Sequence, residues 1–179
     1  MSYSNTFDLI SDESRRKKIS CILIGGFAIN FYHVVRQTTD IDFLITREDY
    51  EKLLPALRAQ GYKVSRENKV FVNLESSKRG LIDLDYMFVD SDVFAKIAED
   101  AREVSIAKAK FIIPSLEHLI ALKLHSIKGN SKREMKDLPD IIGLIENNGV
   151  DVRSKSFEQM CLKYGNAELL KKIRTFMEK

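Results

Sequence analysis

Ser20-Cys-Ile-Leu-Ile-Gly-Gly26 followed by Thr39-Asp-Ile-Asp-Phe-Leu-Ile45 decides how this chain folds. The apolar run Ser20 to Ile24 is short and stops at two glycines, the pattern of a buried strand ending in a tight turn. From Phe27 to Val35 the apolar residues recur at spacings of three and four, which predicts a short helix lying on the sheet. Asp40 to Ile45 is a second strand, first alternating and then continuously apolar. Its side-chain period of two places the carboxylates of Asp40 and Asp42 on one face.

Outward from this unit the elements keep alternating. Thr46 with Asp49 can cap a helix running to about Gln60, with Gly61 placed to end it and Pro55 a point of kinking. Tyr62–Arg66 and Lys69–Leu74 alternate as a hairpin around Glu67 and Asn68, and Leu81–Phe88 is a further strand. Asp92–Arg102 has the pattern of an amphipathic helix, and Val104–Ile113 supplies one or two short strands. Ser115 can cap a helix reaching about Lys128, and the rest is helical. The fold class is therefore α+β, a short mixed sheet flanked by helices with a C-terminal helical part. The expected division is a core over 1–113 and a helical region over 114–179 packed on it as one compact unit, since 179 residues serve one core well.

Composition excludes several classes. With 44% apolar and 31% charged residues, 8 Gly and 3 Pro, the chain is an ordinary globular protein. No apolar run approaches the ~20 residues of a membrane span, and no signal-peptide pattern precedes Cys21, so a cytoplasmic location and no membrane partner are expected. Cys21 and Cys161 are too few and too far apart for a zinc site or a disulfide framework, and both are expected in the core. A net charge of +3 is too mild to announce a nucleic-acid binder, although Lys123, Lys128, Lys132, Arg133 and Lys136 bunch together.

Two like charges held side by side ask for a cation between them, and a hard divalent ion such as Mg²⁺ is the natural occupant, bound by carboxylates and substrate phosphates. A second pair, Asp83 and Asp85, stands in Leu81-Ile-Asp-Leu-Asp-Tyr-Met-Phe88, where charge in an apolar setting needs a reason. Three or four carboxylates on neighbouring strands could hold two metals. The Gly25-Gly26 turn lets backbone approach closely before a helix, as a phosphate site requires. Arg36 suits either a phosphate or the neighbouring aspartates. His33, His118 and His125 form no ligand cluster, and Phe27, Phe31 and Tyr32 sit at helical spacing that favours packing.

The order Ile24-Gly25-Gly26, thirteen residues, then Asp40-Ile-Asp42 and a later Ile-Asp-Leu resembles the nucleotidyltransferase superfamily related to DNA polymerase beta. The spacer stands at the long end of that family's range. Arg36-Gln-Thr-Thr-Asp-Ile-Asp42 is similar to the R-x-T-x-D-x-D form of the bacterial branch that holds the AbiEii-type toxins. Glu117 to Lys123, Arg133 and Lys136-Asp-Leu-Pro-Asp-Ile141 are similar to that branch's helical motif. The resemblance thus runs from about residue 20 to 147. It departs at Gly26, where the wider superfamily often has Ser, and at Pro139, which should kink or restart a helix.

The resemblance implies an enzyme moving a nucleoside monophosphate from an NTP to a hydroxyl acceptor, with Mg²⁺ and loss of pyrophosphate. Asp40, Asp42 and Asp83 would be the catalytic and metal carboxylates, with Asp85 as the alternative to Asp83. Gly25, Gly26, Arg36, Thr39, Lys123, Lys136, Asp137 and Asp140 would serve the nucleotide, the two lysines facing its phosphates and Asp137 and Asp140 orienting them or touching base or ribose. The acceptor would be RNA such as tRNA, a protein or a small molecule, in a toxin-like setting with a cognate antitoxin as a partner. The rival reading is a catalytically silent module of a toxin–antitoxin pair that binds a nucleotide or a partner. A phosphatase using D-x-D would want Gly and Thr soon after it, where Phe43-Leu-Ile stand.

Overall fold

A computed structural model describes residues 3–178, and these fall into two compact units, Met1–Ala28 with Gln37–Ser115, and Ile29–Arg36 with Leu116–Lys179. The second unit takes in residues 29–36, which the sequence pattern had grouped with the core.

The first unit is built on a seven-stranded mixed sheet in the order β3-β4-β5-β2-β1-β7-β6. β1 (Ile22–Ile24) is buried at all three positions and pairs antiparallel with β2 (Asp40–Thr46), setting Ile24 opposite Asp42. β2 pairs in parallel with β5 (Asp83–Val89), so that Asp40 faces Asp83 and Asp42 faces Asp85. β3 (Tyr62–Glu67) and β4 (Phe71–Ser76) form the hairpin beyond β5, and β6 (Arg102–Ile106) and β7 (Ala109–Ile113) form the one beyond β1.

One face of the sheet is sealed by helices. α1 (Thr6–Lys17) brings Phe7 edge-on to Phe111, and α3 (Arg47–Ala59) brings Tyr50 onto Tyr86 and Phe88. Ile41, Phe43 and Ile45 are wholly buried on this side, and Phe43 stacks on Tyr86 at 5.6 Å. Side chains of that size each contribute about 2 kcal/mol on burial. Alternation then puts Asp40, Asp42, Asp83 and Asp85 together on the opposite face. α3 is capped by Thr46, whose Oγ1 accepts from Asp49 N, and it runs through Pro55 as one helix. α4 (Ser91–Glu99) is capped by Asp90, three residues short of the expected end at Arg102, which begins β6 instead.

α2 covers Gly25–Asn30, starting and ending earlier than the 27–35 expected from periodicity. The chain leaves the helix because Asn30 brackets the backbone of Arg36, accepting from its N at 2.9 Å and donating to its O at 3.3 Å, while His33 takes a left-handed φ of 62°. That local closure outweighs the helical spacing of Phe31 and Val34.

The second unit is helical: α5 (Leu116–Gly129), a 3₁₀ turn (Ser131–Arg133), α6 (Glu134–Asn148), α7 (Lys155–Tyr164) and α8 (Ala167–Met177). Leu124, Ile141, Leu144, Ile145, Cys161 and Ile173 are fully buried in it. α6 continues through Pro139 and ends on Gly149 in the left-handed region. No helix among the described residues is long and apolar enough to cross a membrane.

Candidate active site

β2 and β5 lay three carboxylates side by side. Asp40, Asp42 and Asp85 are each half-buried, and one oxygen from each lies within 4.8 Å of the others. At that separation each pair of charges repels by about 3 kcal/mol in a medium of effective dielectric ~20. The neighbours offset part of this. Thr38 Oγ1 donates to Asp40 Oδ1 at 2.7 Å, and Asn73 Nδ2, opposite Asp85 on β4, donates to Asp85 Oδ1 at 2.5 Å. A set of hard, converging oxygens fits a divalent cation such as Mg²⁺.

The glycine pair acts directly on this group. Gly25 has φ +65°, a conformation that strains any other residue, and a β-carbon there would stand 2.8 Å from Asp42 Cβ and closer still to its carboxylate. A β-carbon on Gly26 would meet Thr38 Cβ at 2.8 Å. The two glycines thus make room for Asp42 and for the threonine that holds Asp40.

Asp83, the first choice for the third carboxylate from sequence, lies on the same face but outside this group. Its Oδ1 accepts from Ser76 N at 3.0 Å, which fastens it to β4. Asp85 occupies the third place. Thr38 and Asn73 were missed as site residues. A polar Asn in the alternating run Phe71-Val-Asn-Leu74, on the face of Asp85, was the available signal for the second.

In the second unit four of the residues assigned to the nucleotide meet one another. Lys123 Nζ lies 2.8 Å from Asp137 Oδ1 and 2.7 Å from Asp140 Oδ2, and Arg36 Nη1 lies 2.6 Å from the same Asp140 oxygen. Arg133 Nε and Ser126 Oγ both donate to Asp137 Oδ2 at 2.9 Å. The side chain of Asp137 is fully buried and that of Lys123 is 9% exposed. Burial, the strongest single influence, pushes the Asp137 carboxyl up. The Lys123 ammonium, its hydrogen bond and the Arg133 guanidinium together more than reverse this and hold it below the usual carboxylate range. Lys136 and Thr39 are exposed and stand outside these pairs.

No curated protein matches the chain in sequence. Among solved structures, ANT(2")-Ia in complex with adenylyl-2"-tobramycin superposes with a TM-score of 0.63 at 16% identity, covering 88% of this chain and 93% of that one. A nucleotidyltransferase-like protein from Paracoccidioides brasiliensis gives 0.61 at 17%, covering 96% and 88%. The lincosamide antibiotic adenylyltransferase LnuA, bound to lincomycin, gives 0.54 at 20%, covering 78% and 96%. Identities this low speak to the fold, and the fold is that of a nucleotidyltransferase. The sequence model of one family, described as uncharacterised nucleotidyltransferase, matches residues 1–179, the whole chain, with its Gly25-Gly26 turn and its strand aspartates. The protein belongs to this family of nucleotidyltransferases.

Proposed function

We propose that the protein transfers a nucleoside monophosphate from an NTP to a hydroxyl acceptor, releasing pyrophosphate, with Mg²⁺ held by Asp40, Asp42 and Asp85. The observation that carries this reading is the convergence of the three carboxylates beside a glycine pair that leaves room for Asp42 and for Thr38. Bound there, Mg²⁺ would supply neutralisation of the phosphate charge that grows in the transition state. The acceptor oxygen bonds to the α-phosphorus as the bond from that phosphorus to the pyrophosphate oxygen breaks, and the electron pair leaves with pyrophosphate. In this reading Asp85, whose carboxylate accepts from Asn73, takes the hydroxyl proton in place of Asp83. Gly25 and Gly26 admit the triphosphate alongside Asp42. The adenylyl-2"-tobramycin of ANT(2")-Ia supports this chemistry for the fold. The likeness of Arg36–Asp42 to the AbiEii-type branch supports a toxin-like role paired with an antitoxin.

The test is label transfer from each α-labelled NTP, with Mg²⁺, into total RNA, cell protein and tobramycin, comparing wild type with Asp40→Asn and Asp42→Asn. Transfer into one acceptor class, lost in both variants and on chelation, is the expected result. Transfer that persists in the variants would sink the assignment of the reaction to these carboxylates, and NTP binding with no transfer to any acceptor would leave a binding module.

A further inference from the structure

The acidic face of the sheet does not end at Asp85. Register carries one row of side chains across four strands, from Asp42 to Asp85 to Asn73 to Arg66. Arg66 reaches this face only because β3 is irregular between Val64 and Arg66. Counting by twos from Lys63, Ser65 would point there. A bulge at Ser65, whose Oγ donates to Asn73 O at 3.3 Å, shifts the count by one and re-aims Arg66. The next position along holds Phe71 opposite Met87, and the Arg66 guanidinium lies over the Phe71 ring at 5.2 Å. Arg66 and Met87 are exposed, Phe71 and Asn73 half-buried. Lys63 stands opposite Glu75, whereas Arg66 makes no ion pair among the described residues.

From these positions we infer that the β3–β5 face is the acceptor surface and that it takes a single-stranded nucleic acid presenting a terminal hydroxyl, an inference that rests on the transfer reaction proposed above. An aromatic ring with an arginine over it is a platform on which any base can stack, and the guanidinium adds attraction for the phosphates. The row spans three strand spacings, roughly 14 Å. That is a reach of several stacked nucleotides at about 3.4 Å each, far longer than one sugar. Its polarity fits the same ligand, with the cation at the anchoring end and the carboxylates at the reacting end. A cationic antibiotic would meet Arg66 as a like charge.

The experiment is fluorescence anisotropy of a labelled single-stranded oligoadenylate with the full chain, over a range of salt, for wild type, Phe71→Leu, Phe71→Tyr and Arg66→Gln. Phe71→Leu keeps apolar bulk but no ring, so Kd should rise about ten-fold. Phe71→Tyr, which keeps the ring, should bind as wild type, and this separates stacking from misfolding. Arg66→Gln should lower the slope of log K against log salt by about one. Wild-type affinity and slope in all variants, absence of saturable binding, or label entering only protein or tobramycin would overturn the inference. Such a result beside transfer that is lost in Asp42→Asn would leave the chemistry standing without this surface. Transfer that survives Asp42→Asn would instead put the reaction away from Asp42 and overturn the reading of this face as its acceptor surface.

Discussion

Gly25 and Asp42 occupy space that only a residue without a side chain can share, since a β-carbon at Gly25 would lie 2.8 Å from Asp42 Cβ and nearer its carboxylate. Ile24 pairs with Asp42 across the sheet, so the turn that follows falls against the aspartate by register. Gly25→Ala therefore carries two penalties, about 1–2 kcal/mol for the left-handed backbone and the displacement of a carboxylate. Transfer should fall at least about 100-fold, on the scale of losing a preorganised charged group. Thermal melting should fall only by several degrees. Equal loss of transfer in a variant at a remote glycine such as Gly149 would show that the effect is not local.

Asp85 and Asp83 can be separated by one pair of substitutions. Asp85→Asn removes a member of the carboxylate group and is expected to abolish measurable transfer. Asp83→Asn changes a side chain whose oxygen accepts from Ser76 N, and should retain most of the rate while costing about 1 kcal/mol of stability. Steady-state rates with denaturant melts decide it, and the reverse ranking would return the third place to Asp83.

Like charges held together also store repulsion. Without divalent ion, Asp42→Asn should melt a few degrees above wild type because it relieves two repulsive pairs. The increase in Tm that Mg²⁺ gives to wild type should vanish in the variant. Melting curves with EDTA and with Mg²⁺ are sufficient, and an Mg²⁺ response retained in Asp42→Asn would place the ion elsewhere.

The strands and their aspartates were legible because a period of two and a D-x-D pair are both local signals. What set Asp85 apart from Asp83 was not local, since it depended on which backbone and side-chain groups of β4 each one met. The same holds for Arg66, where one extra residue at Ser65 inverts the alternation that sequence reading relies on. Phe31 to Val35 kept helical spacing but lost the helix to the bracket that Asn30 makes on Arg36. Lys123, Asp137 and Asp140 were singled out as residues. Their pairing across two helices joined by a turn does not follow from spacing, and only the resemblance implied that Asp137 and Asp140 orient a lysine.

Both cysteines should be chemically quiet. Burial pushes the thiol of Cys21 up to about 12 and that of Cys161 to about 11, so almost no thiolate exists at pH 8. A disulfide reagent should titrate neither in the native state and two after unfolding. Rapid modification of the folded chain at pH 8 would contradict the burial of Cys21 in the run Cys21–Ile24 or of Cys161 in α7.

The buried pairs of Lys123 set the sign of the response of stability to pH. Lys123→Met leaves Asp137 and Asp140 without their shared cation, a loss of about 3–5 kcal/mol for a buried pair broken on one side. Asp137 has a folded pKa below its unfolded value, so its contribution is complete above the unfolded value of about 3.9 and is lost as pH falls through the depressed folded value. Wild type should therefore lose stability steeply below about pH 4. Asp137→Asn, which has no such proton to take up, should be weaker at pH 7 yet flatter below pH 4, so that the gap between the two narrows on acidification. Urea melts at pH 7 and pH 3 measure that gap, and a gap that stays constant would mean that Asp137 is not held ionised by Lys123 and Arg133.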